Sequence, residues 1–181
     1  MQELTSKRLV LKKLSENDAT ETYAKWLNDP AINRFLETRH AQHSIETCRS
    51  FIDACNADTG CFLYGIFVNH GQTHIGNIKL GPIDQLYSVG QIGLFIGEKS
   101  HWGAGYAAEA IAEITRFAFA ELNLARLEAG CYEDNLGSLR AFLKSGFAVE
   151  GFLRKKYTID GKRTGCFLLG ALKDEWTGNH H

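Results

Sequence analysis

The sequence predicts a single domain of the α/β (α+β) class, built on one mixed sheet with helices packed against it. Three observations predict this class. The chain has 181 residues, enough to bury a core of its own. Its composition is ordinary for a globular protein, with 44% hydrophobic and 23% charged residues. Its patterned segments follow the order β-αα-βββ-α-β-α-ββ, with no low-complexity linker between them.

The first strand and the first helix are predicted from the N-terminal thirty residues. Residues 8–14 alternate, so that Leu9 and Leu11 share one face of a half-buried strand. Residues 15–18 are of helix-capping types and predict a helix that runs to about Asn28. The helix is expected to end there because the residue before Pro30 is driven out of the helical region.

A second helix is predicted to begin near Ser44. Its capping box is imperfect, because Thr47 stands where a glutamate or glutamine is usual. The apolar residues that recur at helical spacing along it are Ile45, Cys48, Phe51, Ile52 and Cys55.

Three strands are predicted in the middle of the chain, over residues 61–68, 74–80 and 91–97. The first two are joined by residues of turn composition and predict a hairpin. Gly93 and Gly97 in the third strand suggest a bulge or a close approach by another part of the chain.

The remaining chain predicts a helix, a strand, a short helix and two strands. Residues 127–131 alternate as a strand, and residues 135–145 predict a short helix. Residues 147–157 and 164–172 read as two strands around a turn at 160–161. The preceding long helix is strongly amphipathic, with apolar residues at Ala107, Ala110, Ile111, Ile114, Phe117 and Ala118.

Charge and hydropathy exclude several classes of function. The net charge of −1 gives no global reason to expect nucleic-acid binding. No run of 18 apolar residues predicts a membrane span, and the N-terminus lacks the apolar block of a signal peptide, which makes the cytoplasm the default expectation. His180 and His181 are interpreted as part of a tail or tag remnant over residues 177–181, with no role.

Cysteine and histidine patterns do not predict a metal site. His40 and His43 lie three residues apart without nearby acidic or cysteine partners. The five cysteines form no C-x-x-C pair and are expected to be small buried hydrophobes; they are Cys48, Cys55, Cys61, Cys131 and Cys166.

The glycines at 103 and 105 are the main candidate for a binding motif. They could be only a loop before a tightly packed helix. They also match G-x-G-x-x-A, but they do not follow the first strand of a βαβ unit as a dinucleotide fingerprint does. The third interpretation is a phosphate site on a helix N-terminus beside the edge of the 91–97 strand, which would suit coenzyme A.

An ordered set of motifs decides among these interpretations. They are Thr5-x-x-Arg8-Leu-Val-Leu11 with Asp18, Trp26 to Pro30, Trp102 to Ala110, Asn135-x-x-Ser138-x-x-Ala141-Phe142-x-x-x-Gly146-Phe147, Glu150-Gly-x-x-Arg154, Leu168-Leu169 and Glu175-Trp176. With these motifs the chain resembles the GNAT superfamily of acetyl-CoA-dependent N-acetyltransferases, and within it the ribosomal-protein-alanine/serine (Rim-type) branch. The resemblance covers nearly the whole chain, so residues 1–176 are expected to form one GNAT domain with a mostly antiparallel sheet.

The resemblance implies direct transfer of acetyl from acetyl-CoA to a primary amine, without a metal or a covalent enzyme intermediate. The acceptor would be a protein N-terminus, such as that of a ribosomal protein. A small amine (an amino sugar, polyamine or drug) is the alternative, and a non-catalytic domain that binds coenzyme A is a third. Neither nucleic acid nor membrane is an expected partner, and the chain is expected to be a monomer or a homodimer.

The resemblance also implies where the cofactor binds. The pantetheine arm would follow the backbones of Leu94, Phe95 and Ile96. The family usually has Arg or Gln where Ser100 stands, which removes one phosphate contact but not the N–H groups. The pyrophosphate would lie on the backbone of His101, Trp102, Gly103, Ala104, Gly105, Tyr106 and Ala107.

Three further positions are expected near the cofactor sulfur. Asn135 and Ser138 match the family's contacts there, although both are also helix-capping types. Phe142 stands where many GNAT enzymes have a tyrosine that acts as the acid for the leaving thiolate. Ser138 is therefore the candidate partner of the leaving thiolate, and Cys131 is nearby but more typical of core packing.

The general base is left open by the sequence. Glu98 is the first candidate, and Asp84 and Glu133 are the other two. A chain of water molecules could serve instead. Tyr157 is a candidate wall of the amine pocket. The acceptor site is expected to be shaped by residues 23–38, with His40 and Gln42 just beyond.

Overall fold

The computed structural model describes residues 3–178, and its elements form one eight-stranded sheet with helices on both faces. The two C-terminal histidines lie outside the described residues. Within residues 3–178, no helix has both the length and the apolarity to cross a membrane. The strands are β1 (Glu3–Thr5), β2 (Val10–Lys13), β3 (Phe62–Val68), β4 (Thr73–Asp84), β5 (Val89–Ile96), β6 (Arg126–Tyr132), β7 (Ala148–Ile159) and β8 (Lys162–Leu172). The α-helices are α1 (Glu21–Asn28), α2 (Pro30–Asn33), α3 (Ile45–Ala57), α4 (Tyr106–Ala120) and α5 (Leu136–Lys144).

The sheet is mixed and mostly antiparallel, which confirms the predicted class. Its strand order is β1-β2-β3-β4-β5-β6-β8-β7. The parallel pair is β5 with β6, and α4 is the crossover helix that such a pair requires. These two strands pair only over residues 89–91 and 126–128, and they diverge beyond that point. The divergence leaves the C-terminal part of β5 without a strand partner on its β6 side.

Two elements were missing from the predicted order. The predicted strand 8–14 is wrong as a single first strand, because β1 precedes β2 and pairs with it antiparallel, with Thr5 opposite Val10. The predicted end of α1 at Asn28 is confirmed, but Pro30 also begins α2 as its first residue, with the Asp29 side chain as the cap. Proline suits this position because the first turn of a helix has no use for its missing N–H.

Capping of the two early helices also differs from expectation. Residues 16–18 form a separate turn of 3₁₀ helix, and Thr20 caps α1 by accepting from the Tyr23 N–H. The capping box of α3 is complete rather than imperfect, because the Thr47 hydroxyl bonds the Ser44 N–H at 2.8 Å. A threonine hydroxyl therefore takes the place of the expected carboxylate.

Two apolar clusters, one on each face of the sheet, hold the layers together. The larger cluster joins the sheet to α4 and α5 and contains Ile111 and Phe117, while the smaller joins it to α1 and α3 and contains Tyr23 and Ile52. The five cysteines are buried and unpaired, as predicted.

One of the two predicted close approaches is confirmed. A side-chain carbon at Gly97 would overlap the Trp26 ring. Glycine at this position therefore lets Trp26 of α1 pack against the end of β5. Gly93 faces open space, and the irregularity between β4 and β5 lies instead between Leu80 and Ile83. Gly97 thus sets the distance between α1 and the strand that borders the candidate site.

Candidate active site

The divergence of β5 from β6 opens a cavity of about 510 Å³ at the centre of the sheet. The C-terminal half of β5, the N-terminus of α4, one side of α5 and one side of α2 surround it. Its lining residues are Ala31, Ile32, Phe35, Leu36, Leu94, Phe95, Ile96, His101, Trp102, Gly103, Gly105, Tyr106, Ala107, Ala108, Asn135, Gly137, Ser138, Arg140, Ala141 and Lys144. Apolar strand and helix surfaces form one part of this wall, and glycines and cations form another.

The loop at residues 102–105 delivers the chain to α4 with its backbone exposed. Gly103 and Gly105 have φ values of 74° and 84°, in the left-handed region that favours glycine. Gly105 is the N-cap of α4, and within residues 3–178 the first turn has no side-chain capping bond. Uncapped N–H groups and the positive end of the helix dipole together suit an anion such as a pyrophosphate.

Most of the sequence-predicted cofactor residues line this cavity, but Ala104 and Phe142 do not. The Ala104 carbonyl instead accepts a hydrogen bond from Arg8 Nη1 at 2.9 Å. The Phe142 side chain is 2% exposed and packs in the core with its ring 5.1 Å from that of Phe147. Placing Phe142 among the cofactor contacts therefore disagrees with this geometry, because the apolar face of α5 turns it into the protein.

The match to known proteins agrees with this geometry. The family model described as an acetyltransferase (GNAT) domain matches residues 8–148. This chain belongs to the GNAT acetyltransferase family. An N-acetyltransferase of Bacillus licheniformis, p20, is 28% identical over 98% of this chain and its own full length.

Solved structures show the same fold. Spermidine N-acetyltransferase from Vibrio cholerae, in complex with CoA and spermine, superimposes with a TM-score of 0.84 at 19% identity, covering 94% of this chain and 98% of that one. RimL, a ribosomal L7/L12 α-N-protein acetyltransferase in complex with coenzyme A, also gives 0.84, at 16% identity and the same coverage. Membership of the GNAT family makes the protein an acyltransferase that uses acetyl-CoA as its co-substrate.

The cavity of this GNAT enzyme fits coenzyme A in its chemistry. The edge of β5 that has no strand partner can bond the amides of a pantetheine arm, except at the Ile96 carbonyl, which accepts from Trp102 Nε1 at 2.8 Å. The glycine loop can receive the phosphates. Arg140 and Lys144, which the sequence motifs do not mark, add positive charge on the same side of α5. The signal for them in the sequence is their spacing of four residues, which places both on one face of a helix, opposite the apolar Phe142. Among residues 3–178 no group of three or more His, Cys, Asp or Glu is placed to hold a metal ion.

Asn135 and Ser138 meet at the start of α5, on the cavity wall. Asn135 is the N-cap of α5, and its Oδ1 accepts from the Ser138 N–H at 3.2 Å. The capping role is thus observed, while contact with the cofactor stays a prediction for both residues. Cys131 is 2% exposed and its Sγ donates to the Asn135 carbonyl at 3.3 Å. Burial raises the pKa of the Cys131 thiol, which fits core packing.

The three carboxylates predicted as candidate bases have structural partners and do not line the cavity. Glu98 accepts from the Ser100 hydroxyl at 3.0 Å and caps the 3₁₀ turn at residues 99–101. Asp84 accepts from the Leu86 N–H at 2.9 Å, and Glu133 from the Gly165 N–H at 2.8 Å. Among the described lining residues of the cavity, none is acidic.

Part of the region predicted to shape the acceptor site, α2 and the segment that follows it, borders two cavities, and its contact with an acceptor stays a prediction. One face of α2 lines the first cavity, and the other lines a second cavity of about 560 Å³. The predicted His40 and Gln42 lie there, together with Asn28, Pro30, Asn33, Arg34, Arg39, Ala41, Thr158 and Asp160.

Tyr157 does not line either cavity but packs beside them. Its ring lies 4.8 Å from that of Tyr132, whose hydroxyl donates to the Glu37 carboxylate. Burial, together with this hydrogen bond to Glu37, raises the pKa of Tyr132 to about 12, so the phenol stays protonated. Arg39 Nη1 donates to the same phenol oxygen at 3.0 Å. This cluster fastens the segment after α2 to β6 and β7.

Proposed function

We propose that this GNAT enzyme transfers acetyl from acetyl-CoA directly to the α-amine of a polypeptide, as a member of the Rim-type branch. The observation that supports a peptide acceptor is the absence of acidic side chains from the described lining of the 510 Å³ cavity. A polyamine carries several positive charges, and a site built for it needs carboxylates to replace the water around them. A neutral α-amine needs none.

The chemistry of the acceptor amine supports the same choice. An α-amine has a pKa near 8, so about one molecule in ten is already deprotonated at pH 7. An alkyl amine with a pKa near 10.4 is deprotonated in fewer than about one molecule in a thousand. A cavity without a carboxylate base therefore suits the α-amine, which gives up its ammonium proton, and then the proton released on amide formation, to water.

The residues of the two cavities then have three tasks: to polarise the thioester carbonyl, to stabilise the thiolate and to hold the peptide. When bound, acetyl-CoA supplies an acetyl group activated as a thioester. A backbone N–H of Leu94 or Ile96 polarises the thioester carbonyl, because these residues face the side where β5 has left β6. The Phe95 carbonyl, by contrast, lies against Gly76 of β4. The Ser138 hydroxyl donates a hydrogen bond to the departing thiolate, and the second cavity receives the peptide chain beyond its first residues.

A small-molecule amine is the second candidate, favoured by one observation. The Glu37 side chain is 68% exposed and directly follows Leu36, which lines the cavity. This carboxylate could hold an ammonium group at the mouth. Arg39 Nη1 lies 3.7 Å from the Glu37 carboxylate and offsets its charge, which weakens the case.

Release of free thiol from acetyl-CoA tests the proposal. Peptides with a free α-amine should react, while the same peptides acetylated at the α-amine but carrying a lysine should not. Turnover confined to polyamines or amino sugars would replace the proposal with the second candidate. Tight binding of acetyl-CoA without turnover on any amine would indicate a non-catalytic domain.

The Ser138→Ala variant is expected to lower kcat about tenfold, since a hydrogen bond to a charged group is lost. The KM for acetyl-CoA should change little. The helix cap is retained, because Asn135 accepts from the backbone N–H of residue 138 and not from the hydroxyl. Ser138→Thr is the matched control, and its retained hydroxyl should restore kcat. Equal kcat for the alanine variant and the wild type would remove Ser138 from the mechanism.

A further inference from the structure

Arg8 lies in the turn between β1 and β2, yet its side chain reaches the loop that precedes α4. Its Nη1 donates to the Ala104 carbonyl at 2.9 Å, and its Nε lies 2.6 Å from Glu109 Oε2. The guanidinium also lies over the Tyr106 ring, 4.5 Å from its centroid. One side chain therefore contacts the loop, the first residue of α4 and the carboxylate of Glu109 in the first turn of α4.

Glu109 fixes the guanidinium in this position. Its carboxylate accepts from the Arg8 backbone N–H at 2.7 Å and from the Ser6 hydroxyl at 2.8 Å, besides the bond to Arg8 Nε. Burial alone raises the pKa of Glu109, but hydrogen bonds from the Arg8 backbone, Ser6 and the Arg8 side chain hold it below its ordinary value. Glu109 is thus a charged anchor on α4 for the whole turn that contains Arg8.

The bond to Ala104 determines the direction of an N–H group. The carbonyl of Ala104 and the N–H of Gly105 belong to one planar trans peptide, in which they point in opposite directions. With the oxygen held by Arg8, the Gly105 N–H must point away from Arg8. The peptide follows Gly103 and precedes Gly105, both with positive φ, so the local backbone has unusual freedom to turn over. If it turned over, a carbonyl oxygen would replace the N–H.

We propose that Arg8 is a positioning residue for the cofactor, which holds the Ala104–Gly105 peptide with its N–H directed to the phosphates of coenzyme A. This inference rests on the proposed placement of the pyrophosphate at residues 101–107. The space beside Gly105 is open toward this placement, since an added side-chain carbon there would have Arg8 Nη2, at 3.4 Å, as its one neighbour within 4 Å among the described residues. Arg8 acts through the backbone of the loop, and loss of its hydrogen bonds leaves the peptide free to present oxygen to the phosphates.

Arginine has the geometry for this task and lysine does not. The guanidinium is a planar fork that donates from Nη1 to Ala104 and from Nε to Glu109 at the same time, while it stacks on Tyr106. A lysine ammonium is a single point on a flexible stem and keeps only the charge. Charge and orientation can therefore be separated by experiment.

Isothermal titration of the full chain with coenzyme A tests the inference. Arg8→Lys and Arg8→Gln should both raise Kd about tenfold, because charge without the fork does not orient the peptide. Glu109→Gln should weaken binding in the same direction by a smaller factor. Lys7→Gln, which removes a neighbouring exposed charge, should leave Kd within about twofold of the wild type.

Binding of pantetheine, measured by NMR titration, separates positioning from a general loss of structure. Pantetheine has the same amide arm without phosphates, so its affinity should be equal in the wild type and in Arg8→Lys. Equal loss of both ligands, or recovery of coenzyme A affinity by lysine, would overturn the inference. Failure of the wild type to bind coenzyme A would instead overturn the proposed cofactor site.

Discussion

The Gly105→Glu variant is expected to lose affinity for coenzyme A by more than about a hundredfold while it retains its fold. Gly105 is the N-cap of α4 and lines the cavity where the phosphates are proposed to lie. A carboxylate at this point would place negative charge where the helix dipole and the free N–H groups otherwise attract a phosphate. Like charges in such a site cost several kcal/mol, which exceeds two factors of ten in affinity.

Backbone strain must be separated from this electrostatic effect. Gly105 has a φ of 84°, so any side chain there costs about 1–2 kcal/mol of stability. Gly161→Glu is the matched control, because Gly161 has a φ of 75°, meets no atom within 4 Å of an added carbon and lies on neither cavity. The melting temperature should fall by a similar amount in both variants. In titration calorimetry, however, only Gly105→Glu should lose coenzyme A binding. Unchanged affinity in Gly105→Glu would refute the phosphate site.

Much of the fold could be predicted because the apolar periods are long and consistent. The 3.6-residue period around Ile111 and Phe117 predicted α4, and the alternation around Leu127 predicted β6. The two missed elements are short. β1 has three residues and α2 has four, so neither spans two periods of its pattern. Each depends on its context: a partner strand for β1 and the Asp29 cap for α2.

The candidate site was predictable where one residue type reports one backbone requirement. Gly103 and Gly105 indicated a loop ahead of a helix, and the structure has that loop, with a positive φ at both glycines. Side-chain direction was not predictable from the motif. Phe142 occupies the position of the family's tyrosine but points into the core, and Glu98 caps a turn beside the cavity. The hydrogen bond from Arg8 to Ala104 spans 96 residues of sequence, a separation that no local pattern reports.

Phe117→Ala is expected to reduce the free energy of unfolding by about 3–5 kcal/mol, the largest stability effect we expect of a single side chain here. Phe117 is 2% exposed near the C-terminal end of α4, and its ring lies 5.5 Å from that of Phe62 and 6.1 Å from that of Tyr64. Truncation leaves a cavity between α4 and the sheet, lined by rigid aromatic rings that cannot close it. Urea denaturation followed by circular dichroism measures the loss.

The same deletion at an exposed helical position is the control. Phe51 on α3 is 42% exposed, so Phe51→Ala should cost less than about 1 kcal/mol. At temperatures where Phe117→Ala remains folded, its affinity for coenzyme A should match that of the wild type, because the proposed phosphate site uses the N-terminus of α4 and Phe117 lies three turns away along the helix. Equal destabilisation by the two alanine variants would contradict the role of Phe117. A parallel loss of coenzyme A affinity would mean that the packing of α4 on the sheet also sets the geometry of the loop before it.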